Sequence, residues 1–287
     1  MQYPPSELVL NDKGLVYHLG LSPHQISLQI ILVGDQDRVD LVASFFDNVE
    51  HSSQHREFAC KTGTYNGKRI SVISTGIGTD NIDITINELD ALVNIDLESR
   101  EDKKSLMSLD LIRIGTCGIL QPDAPIHSYI LTTYAFGLDN VAHFYDIQHK
   151  ADEVALNKAI NDYINLPEQI VTYTTKATSE LFNKLSSEKT VEGVTVTSSG
   201  FYGPQGRQLR LKNSTVALGD KLTTFSYEGH KITNFEMESS ALFALGKAMG
   251  HNCATICLGI ANRPTKDFSK DYHPHMMGLI EYVLDRI

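Results

Sequence analysis

Twice in its first third, this chain passes from an apolar, strand-like run through a glycine turn into a helical pattern, and that succession limits what it can fold into. Residues 26–33 read as a strand ending at Gly34-Asp35-Gln36-Asp37-Arg38, where Val39, Val42, Phe45 and Phe46 take up helical spacing. Residues 70–74 read as a second strand, ending at Ser74-Thr75-Gly76-Ile77-Gly78 before a helix over 82–93. Strand, glycine turn and helix present backbone N–H groups to an anion. The first turn reads equally well as a plain β–α connection, but Arg38 favours an anion, because its charge opposes the positive end of a helix dipole. The second turn lacks the third glycine of a dinucleotide fingerprint, since Asn81 holds that place, which disfavours a dinucleotide-dependent oxidoreductase. Its two glycines still mark a close backbone approach.

Between these units, Asn66-Gly67 predicts a type I′ hairpin turn joining 58–65 to 70–74. Further strands are expected over 109–114, 128–133, 170–174, 191–198 and 254–260, and helices over 154–163, 179–185 and 275–286. Residues 1–14 read as a surface extension, and 96–104, dense in charges of both signs, as a solvated helix extension or surface insertion.

Three places carry chemistry that a plain core does not need. Arg113 sits in an apolar strand before Gly115-Thr116-Cys117-Gly118 and requires either an internal salt bridge or a bound anion. Cys117 has no evident base beside it and reads as a buried thiol. The loop Gly200-Phe201-Tyr202-Gly203-Pro204-Gln205-Gly206-Arg207 reads either as a surface turn or as a site for a flat heterocycle with carbonyls, which Phe201, Gln205 and Arg207 suit by stacking and planar hydrogen bonding. Thr233-Asn234-Phe235-Glu236-Met237-Glu238-Ser239 opens an apolar helical run. Thr233 and Glu236 have the spacing of a capping box. Glu238 falls on the face of Leu242, Leu245 and Met249, where a carboxylate needs a ligand hydroxyl or an internal cation.

The net charge of −10 argues against nucleic acid and anionic membranes as general partners, so an anionic substrate would need local arginines. No apolar run reaches the length of a membrane span, and the first residues lack the pattern of a signal peptide. Four scattered cysteines without a CxxC fit a reducing, cytoplasmic compartment. His51 and His55, and His273 and His275, have metal spacing without supporting Cys or carboxylate ligands, so no metal is expected.

Taken in order, His-Leu-Gly-Leu at 18–21, Gly-Asp-x-Asp-Arg-Val at 34–39, His-Arg-Glu-Phe at 55–58, Ser-Thr-Gly-Ile-Gly at 74–78, Ile-Arg-Ile-Gly-Thr at 112–116, Phe-Tyr-x-x-Gln-x-Arg at 201–207 and Glu-Met-Glu-Ser at 236–239 are similar to motifs of the nucleoside phosphorylase superfamily, nearest to the bacterial uridine phosphorylases. The resemblance runs from His18 to the end. It implies one three-layer α/β/α domain over 1–287 around a mixed, partly closed sheet. The implied reaction is pyrimidine nucleoside phosphorolysis in salvage, uridine and phosphate giving uracil and ribose 1-phosphate. By motif, Gly34, Arg38, Arg113 and Thr116 would hold phosphate, with Arg56 reaching a neighbouring subunit's site. Met237 and Glu238 would hold ribose, and His18 a neighbour's ribose. Phe201, Gln205 and Arg207 would hold the base, which Ile260 and Ala261 enclose. Arg113, Glu238, Gln205, Arg207 and Arg263 would carry catalysis. A homodimer is then the minimum unit, with a hexamer as the bacterial default. No cofactor is implied beyond phosphate as co-substrate. Glu57 and the Ile77 carbonyl match a monovalent-cation site of enteric members, but Asn81 replaces its serine. The alternatives are a purine phosphorylase, a hydrolytic nucleosidase and a catalytically silent nucleoside-binding protein. Asn262, where purine enzymes carry an Asp, speaks against the first.

Overall fold

The computed structural model describes residues 2–215 and 217–287. In chain order the elements begin with β1 (Gln29–Val33), α1 (Gln36–Ala43), β2 (Asn48–His55), β3 (Phe58–Tyr65), β4 (Lys68–Ser74) and α2 (Thr79–Asn94). They continue with β5 (Ile95–Asp96), β6 (Glu101–Asp102), β7 (Asp110–Ile119), β8 (Tyr129–Gly137), α3 (Ala151–Ile164), β9 (Tyr173–Lys176), α4 (Ser179–Leu185) and β10 (Thr190–Thr197). The last are α5 (Leu218–Thr224), β11 (Ser226–Tyr227), β12 (His230–Glu236), α6 (Ser239–Ala248), β13 (Asn252–Asn262), β14 (Asp267–Phe268) and α7 (His273–Leu284).

All these strands except the β5–β6 hairpin join one mixed sheet, ordered β11-β12-β10-β8-β13-β7-β1-β4-β3-β2. β12 pairs with β10 on one side and with β7 on the other, through Asn234↔Ile119 and Phe235↔Gly118. That second pairing closes β7, β13, β8, β10 and β12 into a ring, while β1 to β4 remain an open wing.

The sequence pattern explains the layers. β1 is buried on both faces, as parallel strands between helices are. Ile30 and Leu32 meet Ile82 and Ile86 of α2 and Leu242 and Leu245 of α6. Ile31 and Val33 meet Val39 and Val42 of α1 and Leu279 and Val283 of α7. Fully burying each of these side chains contributes about 1.5–3 kcal/mol. A third cluster packs α3 and α5 against β10 and β12 through Leu156, Ile160, Leu222, Val194, Val196 and Phe235. The carboxyl ends of β1, β4, β7, β10, β12 and β13 consequently open on one crevice, the place where ligands bind in open α/β sheets.

Several expectations need correction. Thr233 does not cap a helix: residues 230–236 are strand β12, and α6 starts only at Ser239. The ladder partners offered by β10 and β7 outcompete the local capping box. The N-terminal residues are more than a surface extension, since Leu8 is buried against Ala91 and Ile95. Residues 96–104 are not a helix extension; they lie on the surface, the other alternative, but with regular structure. They form the β5–β6 hairpin, where Asp96 Oδ1 accepts from Glu98 N and Ser99 N at 3.0 and 2.8 Å and Gln2 bridges to Glu101. Strand β9 covers 173–176 rather than 170–174, and β2, α5 and the far end of β8 were not anticipated. The Asn66-Gly67 turn is as expected: φ is 49° and 75°, and Tyr65 faces Lys68 across a two-residue loop.

Candidate active site

The crevice at the strand ends holds a cavity of about 260 Å³. Its lining includes Gly34, Arg38, Arg113, Thr116, Phe201, Gln205, Arg207, Met237, Glu238, Ile260 and Ala261, so residues from five separate stretches of sequence meet in one place. A wider opening of about 440 Å³ lies at the β10–β12 side, lined by Asp123, Glu192, His230 and Lys231, and shares none of these residues.

At the centre is an ion pair. Arg113, on β7 between Leu32 and Thr255 of the flanking strands, is 4% exposed, and its Nη2 donates to Glu238 Oε2. The other oxygen, Glu238 Oε1, accepts from Gly78 N at 2.8 Å. Gly76 and Gly78 have φ of 75° and 101°, a backbone that L side chains rarely adopt, and the partner of that close approach is the Glu238 carboxylate. The pair leaves Arg113 only partly satisfied. Its Nε and Nη1 are buried without a hydrogen-bond partner. Burial pushes the Glu238 carboxyl above the ordinary value and Glu236 adds to this, while Arg113 opposes it; Arg113 itself stays firmly charged because the two acids face it.

Beside this pair, Asp35 caps α1 by accepting from Arg38 N at 2.8 Å and also binds Arg38 Nη2 at 2.7 Å. The charge at the helix start thus has a carboxylate partner within the protein. Arg38 Nη1 also donates to Ile114 O at 3.4 Å, which ties α1 to β7 beside Arg113.

At the opposite end, the loop after β10 folds on itself. Arg207 stacks on Phe201 with its guanidinium carbon 3.8 Å from the ring centroid, and Nη1 donates to Phe201 O at 2.7 Å and to Gln205 Oε1. Gln205 is buried. Burial and nearby Arg263 bring Arg207 down to about 10, which leaves it charged at neutral pH. Phe235, Cys117 and Phe268 complete this end. Sequence reasoning missed Phe268, a lone aromatic in a polar turn that reaches the cavity only because β14 folds back on β13 with Ala261 opposite Phe268.

Three candidate residues do not line the cavity. Arg263 is half-buried, 5.9 Å from the Phe235 ring centroid, with Nη1 unpartnered. His18 Nδ1 lies 2.6 Å from Glu88 Oε1 on α2, and Arg56 lies over the Tyr17 ring at 5.4 Å. Glu57 and Asn81 flank Gly76, and neighbouring Ile77 is exposed. Among the described residues, no group of three or more His, Cys, Asp or Glu is placed to hold a metal ion, and no helix is long and apolar enough to cross a membrane.

The chain matches known proteins along most of its length, in sequence and in fold. A sequence model of the phosphorylase superfamily matches residues 29–276, and the chain belongs to that family. It is an enzyme of the pentosyltransferase kind. It is 28% identical over 269 residues to a uridine phosphorylase of Thermococcus kodakarensis, covering 94% of this chain and 85% of that one. It is 26% identical over 277 residues to the uridine phosphorylase of Escherichia coli, covering 94% and 96%. Among solved structures it is similar to a Trypanosoma brucei nucleoside phosphorylase that shows uridine phosphorylase activity, with a TM-score of 0.89, 27% identity and coverage of 98% of this chain and 100% of that one.

Proposed function

We propose that the protein catalyses phosphorolysis of uridine, uridine and phosphate giving uracil and ribose 1-phosphate. The observation that carries this reading is Arg113: a buried guanidinium with two unpartnered N–H-bearing nitrogens, beside a buried carboxylate, in a cavity whose far end holds Gln205 and Arg207. Phosphate supplies the acceptors that Arg113 Nε and Nη1 lack, with Arg38, Gly34 and Thr116 around it. Glu238 accepts from the ribose hydroxyls and Met237 lies against the sugar. Arg207 and the amide of Gln205 meet the polar edge of the pyrimidine; Gln205 Oε1 already binds Arg207, so its NH₂ is the group left to donate.

The chemistry follows from charge. A phosphate oxygen forms a bond to the sugar carbon as the bond from that carbon to the base nitrogen breaks, and the electron pair leaves with the base. The sugar passes through an oxocarbenium-like state, favoured by the negative phosphate and Glu238. Arg207 and Gln205 favour the departing anion, so a strong general acid is unnecessary. Phosphate is the co-substrate, and the charge balance of this step calls for no further cofactor.

Asn262 supports a pyrimidine over a purine. Its amide donates to Gln121 O at 2.9 Å and to Ala124 O at 2.8 Å, so the side chain is committed to the turn after β7 rather than to the cavity. His18 and Arg56, outside the cavity, fit service in a neighbouring subunit's site, and we assign a homodimer as the minimum unit, extendable to a hexamer. Cytoplasmic nucleoside salvage fits four free, buried cysteines. The test is base release from uridine, thymidine, inosine and adenosine with and without phosphate. Uracil release that depends on phosphate is expected; release without phosphate would mean a nucleosidase, and none with phosphate would refute the reading.

A further inference from the structure

Glu238 is the N-cap residue of α6, yet its side chain makes no cap hydrogen bond. An N-cap side chain with an acceptor oxygen ordinarily folds back on the free N–H groups of its own first turn. Here the N–H groups of Ser239 and Ser240, and that of Glu238 itself, bond to other residues. Ser239 N donates to Glu236 Oε2 at 2.9 Å, as does Glu238 N at 2.9 Å, and Ser240 N donates to Thr197 Oγ1 at 3.0 Å. The two acceptors are joined: Thr197 Oγ1 donates to Glu236 Oε1 at 2.5 Å, and the residues face each other across the β10–β12 ladder. Thr197 is fully buried and Glu236 nearly so. Behind them, Ser240 Oγ donates to Asp139 Oδ2 at 2.5 Å, and Asp139 also accepts from Tyr173 OH at 2.7 Å. Buried carboxylates need hydrogen-bond donors, and Glu236 and Asp139 each take at least one from the first turn of α6.

We infer that Thr197 and Glu236 act together as a surrogate cap for α6, which keeps the Glu238 carboxylate off its own helix and facing the sugar site. Both are positioning residues: they act through Glu238 and do not touch the substrate. The inference rests on the proposed reading of Glu238 as the ribose acceptor. Without the Thr197 hydroxyl, Ser240 N is left unpaired in a buried setting; Glu236 Oε2 is already taken by Glu238 N, Ser239 N and Ser239 Oγ, and the Glu238 carboxylate, on the N-cap residue, is the acceptor that can turn back to it. Turning back to satisfy it takes that carboxylate away from Gly78 N, from Arg113 and from the ribose.

The test is Thr197→Val, which keeps shape and removes the hydroxyl, with Thr197→Ser as the conservative rescue. Uridine and 2′-deoxyuridine are compared, because a displaced Glu238 costs the ribonucleoside its additional hydroxyl contact, whereas general loosening harms both alike. The valine variant should lower kcat/KM for uridine about tenfold or more beyond its effect on 2′-deoxyuridine, the scale of one lost hydrogen bond to a charged group. Serine should restore the ratio. An unchanged ratio, or a serine variant no better than valine, would overturn the inference. Should the valine variant not fold, Glu236→Gln carries the same ratio test. A crystal structure of the valine or glutamine variant provides an arm independent of turnover. Glu238 turned onto the first turn of α6 supports the inference, and Glu238 still on Gly78 N overturns it. A wild-type protein inactive on uridine refutes the functional reading separately and leaves this structural arm to decide.

Discussion

Replacing Glu238 with Gln tests whether Arg113 is shared between the protein and phosphate. The change keeps the side chain's size and removes its charge. In the structure Arg113 uses Nη2 on Glu238, while Nε and Nη1 have no partner. Glutamine has one acceptor oxygen where the carboxylate has two, so either Arg113 Nη2 or Gly78 N faces the amide NH₂ and is left unpaired in a buried setting, a loss on the order of 1.5–3 kcal/mol. At roughly 2–4 °C per kcal/mol for a chain approaching this size, Tm should fall by roughly 3–12 °C. Turnover should fall further, because the positive sugar loses its nearest fixed negative charge; removing a single group that stabilises transition-state charge costs about 10²- to 10³-fold. Phosphate should behave differently. Its arginine no longer has an anionic competitor, so KM for phosphate should stay level or drop while kcat/KM for uridine collapses. Uracil release measured across a phosphate and uridine grid, with thermal unfolding alongside, reads all three. A phosphate KM that climbs in step with the lost uridine activity, or an unchanged Tm, would refute the sharing of Arg113.

Glu236→Gln should cost much less activity than Glu238→Gln, since Glu236 spends its oxygens on Thr197, Ser239 and the Glu238 backbone; equal losses of kcat would contradict the separate roles. Gly115→Ala should abolish phosphate-dependent turnover, because a methyl there would collide with Arg113 Nη1 and stand 3.0 Å from Cys257 Sγ; a variant with normal phosphate KM would show that Arg113 is not the anion's partner. Asn262→Asp should not confer inosine phosphorolysis and should lower Tm, because it sets a buried carboxylate against the Gln121 and Ala124 carbonyls; purine turnover by the variant would disprove this. The acid limb of the pH profile of kcat/KM should lie above the ordinary carboxylate value of 4.5, because burial raises Glu238 and only its ionised form accepts from two hydroxyls. Activity is then present above that raised pKa and fades as pH falls through it. A limb at or below 4.5 would contradict the assignment.

How much of this was legible in the sequence varied with how local its causes are. Asn66-Gly67 carries its turn in its own backbone preferences, and the structure reproduces it. Glu238 stood out because a carboxylate at a buried helical position needs a partner whatever the fold. The two glycines at 76 and 78 announced a close approach, though not that a glutamate from the far end of the chain would be what approached. Thr233 misled, since a capping box is a statement about neighbours in sequence and β12 is decided by neighbours in space, whereas Glu236 does accept from the first turn of α6. Strand β2 is an exposed edge with almost no apolar alternation, so it offers no periodic signal. Arg38 reads in the sequence as a residue in want of an anion, and the structure supplies one from within the chain, because Asp35 is three residues earlier and holds it.

The double pairing of β12 has a consequence for how the enzyme comes into being. The contacts that shut the ring, Asn234 to Ile119 and Phe235 to Gly118, join segments far apart in the chain, and the next residues along the chain are Glu236, Met237 and Glu238. Long-range strand pairings are entropically the most expensive to form and among the slowest. The motif proposed to hold the sugar is therefore assembled at the seam itself. A half-folded chain with its wing and outer helices in place would have no competent site, and catalytic competence is tied to completion of the architecture.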